Sequence, residues 1–220
     1  MNKRVILIDG PDNCGKSELA GNLKKYLEEK GHTVAVWGNP SKDPARPISF
    51  GVRTLLAANQ GKITDLATMG LVIASFADTY VGIQRSDAEI HLVDRSEYST
   101  HAYQSLIMDE DSAVEPQSKN FMMAFTDLVR TLFPEQRTRA IIFCMHRWEV
   151  KVEEGVFDPT LIHGHGKIFD NFQWMINNWF IHFNTTGDPT PYVLKTPEDY
   201  DLDMIYTNVI EEPLHEGRGW

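Results

Sequence analysis

The clearest chemical signature lies near the start of the chain, in a glycine-bearing loop. The segment Gly10-Pro11-Asp12-Asn13-Cys14-Gly15-Lys16-Ser17 matches the pattern G-x-x-x-x-G-K-[ST] at every position. Glycines let the backbone curl so that successive N–H groups point at phosphate oxygens, and a following helix adds its positive N-terminal end. In such a loop Lys16 reaches the β- and γ-phosphates of ATP, and the Ser17 hydroxyl binds Mg²⁺.

The sequence around this loop supplies the strand and the helix that a phosphate-binding loop requires. Residues 5–9 form a short apolar run that predicts a buried strand ending at Gly10. After Lys16 apolar side chains recur at helical spacing until Gly31, which predicts the end of the helix. We therefore interpret residues 10–17 as an ATP-binding loop.

Strands and helices alternate along the rest of the chain. Further strands are predicted at residues 33–37, 89–93, 140–145 and 191–194, and further helices at 52–58, 66–84, 119–133, 168–183 and 201–209. This alternation predicts an α/β fold with a parallel sheet that is covered on both faces. We expect one domain, residues 1–220, with a polar lid at about residues 148–167.

Composition narrows the classes of partner. The 21 basic and 31 acidic residues give a formal net charge of −10, which disfavours tight binding to long nucleic acid. Two cysteines, Cys14 and Cys144, provide no disulfide framework and indicate a reducing, cytoplasmic compartment. The N-terminal apolar run is too short for a signal peptide or a membrane span. The expected partner is a small molecule, with no membrane.

A second pair of reactive residues, Asp94 and Arg95, directly follows the third predicted strand. Ligands of parallel α/β sheets bind outside the carboxyl ends of the strands, so both side chains should face the phosphate loop. Arg95 can neutralise phosphate charge, and Asp94 can hold the Mg²⁺ shell or act as a general base.

The segment from Asp94 to Gln104, Asp-Arg-Ser-Glu-Tyr-Ser-Thr-His-Ala-Tyr-Gln, carries a family resemblance. It resembles the thymidylate kinases, in which the strand ends in Asp-Arg-Tyr and continues to Ala-Tyr-Gln. It is also similar to the deoxynucleoside kinases, whose turn is Glu/Asp-Arg-Ser-x-Tyr-Ser. Either resemblance implies a three-layer P-loop NTPase fold with about five parallel strands and a short lid. Either is also compatible with a homodimer.

The thymidylate kinase resemblance also implies roles for five residues. Asp12 would lie near the acceptor sugar, and Arg95 would bind the acceptor phosphate or the transferring group. Phe76 would stack on the base, although its helical spacing equally suits the core. Thr100 would contact the base or a nearby hydroxyl. Tyr103 would fill the space that a 2′-hydroxyl needs.

The chain departs from both families near the expected acceptor. Residues 37–40 are Trp-Gly-Asn-Pro, where thymidylate kinases carry Arg-Glu-Pro. At the same place deoxynucleoside kinases carry a glutamate that is suited to act as a general base. Tyr80 stands where thymidylate kinases carry a second phosphate-binding arginine. The predicted lid holds only two basic residues, Lys151 and Lys167. Three arginines could take over the missing role: Arg46, Arg53 or Arg85.

We expect a kinase that transfers the ATP γ-phosphoryl group to a deoxynucleoside monophosphate, either dTMP or a modified pyrimidine analogue. A GTPase is disfavoured because the sequence has no N-K-x-D motif. The alternatives are a deoxynucleoside kinase acting on a 5′-hydroxyl, a kinase of a modified base in DNA, and a nucleotide-binding protein without phosphotransfer. A second arginine beside Arg95 would favour the monophosphate.

Overall fold

Five parallel strands form the centre of the molecule in the computed structural model, which describes residues 3–59, 62–63, 65–109, 139–146, 165–178 and 191–211. The strands are β1 (Arg4–Asp9), β2 (Val34–Gly38), β3 (Ile90–Asp94), β4 (Arg139–Cys144) and β5 (Tyr192–Leu194). Their order in the sheet is β2-β3-β1-β4-β5. The predicted helix at 119–133 and residues 148–164 of the predicted lid lie outside the described residues.

Helices connect the strands. They are α1 (Lys16–Glu29), α2 (Pro47–Ala58), α3 (Asp65–Arg85), α4 (Glu97–Asp109), α5 (His165–Asn177) and the short α6 (Leu202–Ile205), which continues into a π-helical turn. None of the helices in the described ranges is long and apolar enough to cross a membrane. Helix α2 begins five residues before the predicted start, because Pro47 is suited to the first turn. Helix α5 starts inside the predicted lid, at residues 165–167.

Alternating residues of β1 face opposite layers of the fold. Val5 and Leu7 pack into a cluster with residues of α3, α4 and α5. Ile6 and Ile8 pack into a second cluster with α1 and with the helical turns that follow α6. All five residues from Val5 to Asp9 are buried. The three-layer α/β fold predicted from the sequence is therefore confirmed.

The strand register determines which residues meet at the ligand-binding edge. In the pairing of β1 with β3, Ile8 lies opposite Asp94, and in the pairing of β2 with β3, Gly38 lies opposite Asp94. The phosphate loop, the Asn39–Pro40 segment and Arg95 consequently leave the sheet at the same edge. This is the edge at which parallel α/β sheets bind their ligands.

Candidate active site

The phosphate loop adopts backbone conformations that explain its glycines. Gly10 has φ of 141° and Gly15 has φ of 81°, both in the region that favours glycine. A Cβ atom on Gly10 would lie 2.1 Å from the carbonyl oxygen of Cys144, so no larger residue fits there without a shift of β4. Gly15 precedes α1 and provides no side-chain cap. The loop thus offers the first backbone N–H groups of α1 to an anion.

Lys16 is held inside the loop. Its side chain is buried, with 6% of the residue exposed, and Nζ donates to the carbonyl oxygen of Gly10 at 2.9 Å and of Pro11 at 2.5 Å. The ammonium therefore sits within the curl of the backbone. This is the position from which a lysine reaches phosphates bound by the loop.

Ser17 and Asp94, the two predicted Mg²⁺ ligands, are in contact. The Ser17 hydroxyl donates to Asp94 Oδ2 at 2.6 Å. Asp94 Oδ1 is buried and has no hydrogen-bond partner among the described residues. One carboxylate and one hydroxyl beside a phosphate site suit Mg²⁺, which is commonly bound by few protein oxygens together with phosphates and water. Across the described ranges no cluster of three or more His, Cys, Asp and Glu residues forms a different metal site.

Arg95 forms an ion pair with Asp12 of the phosphate loop. Its guanidinium lies over the ring of Tyr103, 5.2 Å from the ring centre. The backbone of Arg95 has φ of 73°, and its N–H donates to the carbonyl oxygen of Ile8 at 3.0 Å. Three predicted site residues, Asp12, Arg95 and Tyr103, are thereby brought together between β1 and α4.

Asp9, which was not predicted as a functional residue, positions the segment after Arg95. Its buried carboxylate accepts hydrogen bonds from the backbone N–H of Ser96 at 3.0 Å and of Ser99 at 3.1 Å, and from both serine hydroxyls. Burial raises the pKa of Asp9, and the hydrogen bonds from Ser96 and Ser99 act in the opposite direction. Two serines one helical turn apart, after a strand neighbouring β1, are the only signal for this contact in the sequence.

A cavity of about 120 Å³ opens beside Arg95. Four predicted substrate-binding residues line it, Phe76, Arg95, Thr100 and Tyr103. The remaining lining residues are Asn39, Pro40, Leu56, Val72, Ser75, Ser96 and Ser99. Phe76 is also part of the core cluster on that side of the sheet, as its helical spacing predicted, and its stacking on a base stays a prediction.

None of the three arginines that could replace the missing cation lines the cavity. Arg46 bonds Thr79 Oγ1 at 2.6 Å and lies 3.7 Å from Asp78, outside the cavity lining. Arg53 and Arg85 are exposed on α2 and at the end of α3. Tyr80 is buried in the core. Among the described residues that line the cavity, Arg95 is the one cation.

Tyr200 contacts the phosphate loop from a distant part of the sequence. Its hydroxyl donates to the backbone carbonyl of Cys14 at 2.8 Å. Tyr200 lies at the end of a 3₁₀ turn, Pro197–Tyr200, that follows β5. Sequence reasoning missed this residue, since no local motif connects it with the loop.

Comparisons with solved structures identify the architecture. Thymidylate kinase from Ehrlichia chaffeensis superposes with a TM-score of 0.62 over 94% of this chain and 98% of that chain, at 20% identity. The chain has the thymidylate kinase fold. Thymidylate kinase from Candida albicans gives a TM-score of 0.60, also at 20% identity, over 94% of this chain and 92% of that one.

Sequence comparisons add to this structural similarity. A thymidylate kinase from Chlorobaculum tepidum is 31% identical over 104 residues, and one from Chlorobaculum parvum is 32% identical over 103 residues. Each match spans 46% of this chain and less than half of the relative's own length, 47% and 46% respectively. No family model matches the chain. The predicted resemblance to thymidylate kinases is confirmed, on a fold that covers nearly the whole chain.

Proposed function

We propose that the protein is an ATP-dependent nucleoside monophosphate kinase. The observation that carries this proposal is the contact between its two sites. The phosphate loop after β1 and the cavity headed by Arg95 open at the same sheet edge, and the ion pair of Asp12 with Arg95 joins them. A donor held by the loop and an acceptor held in the cavity therefore meet at Arg95.

Transfer from this arrangement requires alignment and charge neutralisation. An acceptor phosphate oxygen forms a bond to the γ-phosphorus while the bond from that phosphorus to the bridging oxygen of ADP breaks. A phosphate dianion brings no proton to the reaction, so no general base is needed. Lys16 and Arg95 stabilise the negative charge. Ser17 and Asp94 would hold Mg²⁺, which neutralises charge on the β- and γ-phosphates.

We propose a deoxynucleoside monophosphate as the acceptor, either dTMP or a modified pyrimidine analogue. Both Chlorobaculum relatives are named thymidylate kinases. Phe76 and Tyr103 give the cavity aromatic walls suited to a base and a deoxyribose, and Thr100 adds a hydroxyl. Asp12, beside Arg95, can approach the sugar.

A deoxynucleoside kinase is the second candidate, because a single cation lines the described part of the cavity. A nucleoside 5′-hydroxyl must lose a proton, and this requires a carboxylate that is free to accept one. Asp12 is paired with Arg95, and Asp94 faces Ser17 as the second proposed Mg²⁺ ligand, so that the ion would occupy it during the reaction. These contacts make the monophosphate the better-supported acceptor.

The experiment offers ATP and Mg²⁺ with dTMP, thymidine, dCMP or deoxycytidine, and separates nucleoside, mono-, di- and triphosphate products by chromatography. We expect wild-type protein to form dTDP and ADP in equal amounts. Lys16→Ala should lower the rate by at least about a hundred-fold, because a cation that stabilises the transferring group is lost. Lys24→Ala removes a partly exposed lysine of α1 that pairs with Glu28, and serves as the matched control.

Other product patterns contradict the proposal in different ways. Formation of dTMP from thymidine without dTDP from dTMP would establish the nucleoside kinase instead. ADP release that is independent of every acceptor would indicate an ATPase. Near wild-type turnover in Lys16→Ala would remove the phosphate loop from the mechanism.

A further inference from the structure

Asn39 is a buried polar residue in the wall of the acceptor cavity. The residue is 6% exposed, and it lines the cavity together with Arg95. Gly38 pairs with Asp94, so Asn39 and Arg95 both follow directly after paired strand ends, and the strands are about 5 Å apart. The N–H of Asn39 donates to the carbonyl oxygen of Asp94 at 3.0 Å, which fixes the backbone of Asn39 at this position.

The first chain of hydrogen bonds to Asn39 begins at a backbone donor. The N–H of Ser41 donates to Ser49 Oγ at 2.8 Å, and Ser49 Oγ lies 2.8 Å from Ser75 Oγ. Ser75 Oγ in turn donates to Asn39 Oδ1 at 2.6 Å. Because the backbone N–H can only donate, the Ser49 proton is available to Ser75 and the Ser75 proton to Asn39.

The second chain begins at a guanidinium. Arg46 Nη2 donates to Thr79 Oγ1 at 2.6 Å, and Thr79 Oγ1 donates to Asn39 Oδ1 at 3.3 Å. Arginine has no acceptor atom, so Thr79 Oγ1 accepts from Arg46 and keeps its own proton for Asn39 Oδ1. Both chains deliver a proton to the same oxygen and fix the orientation of the Asn39 amide.

The amide nitrogen is left without a partner in the part of the chain that the structure describes. Asn39 Nδ2 is buried and makes no hydrogen bond with any of the described residues. Buried donors in native proteins nearly always have a partner, so a ligand atom in the cavity is the natural acceptor. Asn39, which carries this unused donor, and Arg95 are both lining residues of the cavity.

We propose that Asn39 is a specificity-determining residue, whose Nδ2 donates a hydrogen bond to a phosphate oxygen of the acceptor nucleotide beside Arg95. This inference rests on the proposed function and concerns the same cavity. A phosphate dianion presents only acceptor oxygens, which suit two adjacent donors. A nucleoside 5′-hydroxyl needs an acceptor for its proton, and the amide offers none because Oδ1 already accepts two hydrogen bonds. Asn39 thus favours a monophosphate over a nucleoside, although Arg95 is the one cation among the described residues of the cavity wall.

The test uses Asn39→Asp, which keeps the shape of the side chain and an oxygen for Ser75 and Thr79. The change replaces the N–H donor with a carboxylate oxygen that repels phosphate. Calorimetric titration with dTMP and with thymidine, in the presence of a non-hydrolysable ATP analogue, gives the affinity for each acceptor. We expect the dTMP affinity to fall by ten-fold or more while the thymidine affinity stays the same or rises.

Two further variants keep the test decisive. Asn208→Asp adds the same charge at an exposed amide, whose Nδ2 donates to the Met204 carbonyl at 2.9 Å, and should leave both affinities unchanged. Asn39→Ala replaces Asn39→Asp if the latter fails to bind the ATP analogue. It should also weaken dTMP and spare thymidine.

Several results would overturn the inference. Unchanged dTMP affinity in both Asn39 variants would show that Nδ2 does not contact the phosphate. An equal loss for dTMP and thymidine would place Asn39 against the sugar or the base. Wild-type protein that binds neither compound contradicts the inference and the proposed function together. A third pattern contradicts the proposed function alone: wild-type protein binds dTMP but never forms dTDP, and the Asn39→Asp variant loses the binding of dTMP.

Discussion

At the scale of single residues, Arg95 contacts both parts of the candidate site. It pairs with Asp12 of the phosphate loop and lies over Tyr103 of the acceptor cavity. A guanidinium can bond two oxygens at once through a planar fork, whereas an ammonium is a compact point charge. Charge alone therefore does not describe the function of this residue.

We expect Arg95→Lys to lower kcat by ten- to a hundred-fold with its charge unchanged. The lysine loses one of two charge-assisted hydrogen bonds, each contributing on the order of 1.5–3 kcal/mol. Steady-state kinetics with a thermal melt provides the measurement, with the exposed Arg53→Lys as control. A rise in KM alone would restrict Arg95 to ground-state binding. A lower Tm with both constants intact would contradict any catalytic role.

Tyr103 leads to a prediction about the sugar. Its ring packs between Arg95 and Phe172 and lines the cavity. We expect wild-type protein to prefer 2′-deoxy over ribonucleotide acceptors, and Tyr103→Ala to reduce that ratio of kcat/KM by roughly ten-fold. Tyr103→Phe keeps the ring and should keep the ratio. Equal kcat/KM for the two sugars in wild-type protein would remove Tyr103 from the specificity site.

At the scale of elements, the contact of Asp9 in β1 with the start of α4 determines where the site residues lie. Asp9 ends β1 and binds the N–H groups of Ser96 and Ser99 at the start of α4. Arg95 precedes this contact, and Thr100 and Tyr103 follow it on α4. The Asp9 carboxylate thus caps α4 from a neighbouring strand, whereas a helix N-cap is usually a residue next to the helix in sequence.

We expect Asp9→Ala to lower the free energy of unfolding by about 3 kcal/mol, because buried donors of Ser96 and Ser99 lose their acceptor. Asp9→Asn should cost less, since it retains one oxygen and removes a charge whose burial raises the pKa of Asp9. Urea denaturation measures both. Asp201→Ala removes an exposed cap of α6 and should cost about 1 kcal/mol. Equal losses for Asp9→Ala and Asp201→Ala would contradict the importance of burial here.

Elements with a strong local pattern were predictable, and those held by distant contacts were not. Helix α1 has apolar residues at helical spacing, and the strands are apolar runs, so their positions follow from periodicity. Helix α4 was missed because small polar residues such as Ser99 and Thr100 face the site and obscure its period. Its cap, Asp9, lies 87 residues before Ser96 in the sequence.

The candidate site divides in the same way. The loop and the Asp94–Arg95 pair were found because both follow strand ends and carry recognisable motifs. Asn39 was noticed only as a departure from known motifs. Its importance depends on Ser75 and Thr79 of α3, whose contacts with Asn39 become visible only when α3 and β2 are placed side by side.

At the scale of the whole molecule, His91 should couple stability to pH. It is fully buried in β3, where its Nδ1 accepts a hydrogen bond from Trp37. Burial and the charge of Lys3 lower the pKa of His91 from 6.5 to about 4. The unfolded chain then binds a proton that the folded chain does not, so stability decreases as the pH falls from 6.5 towards 4.

We expect this decrease to reach roughly 3 kcal/mol by pH 4. His91→Gln offers Trp37 an acceptor that does not titrate, so the variant should lack this part of the decrease. Urea denaturation of both proteins from pH 7.5 to pH 4 isolates the contribution of His91 from that of the carboxylates. Parallel curves for the two proteins would contradict the prediction.

The left-handed backbone of Arg95 has a consequence for how the chain can evolve. Residues other than glycine, asparagine and aspartate adopt that conformation, φ of 73°, at a cost on the order of 1 kcal/mol. The partly exposed pair with Asp12 contributes about the same amount in the opposite direction. The contact of the guanidinium with the Tyr103 ring adds about 0.5–1 kcal/mol, so folding alone gives arginine only a small preference at this position. A descendant freed from selection for activity should accumulate Gly or Asn at residue 95 early, with little loss of stability.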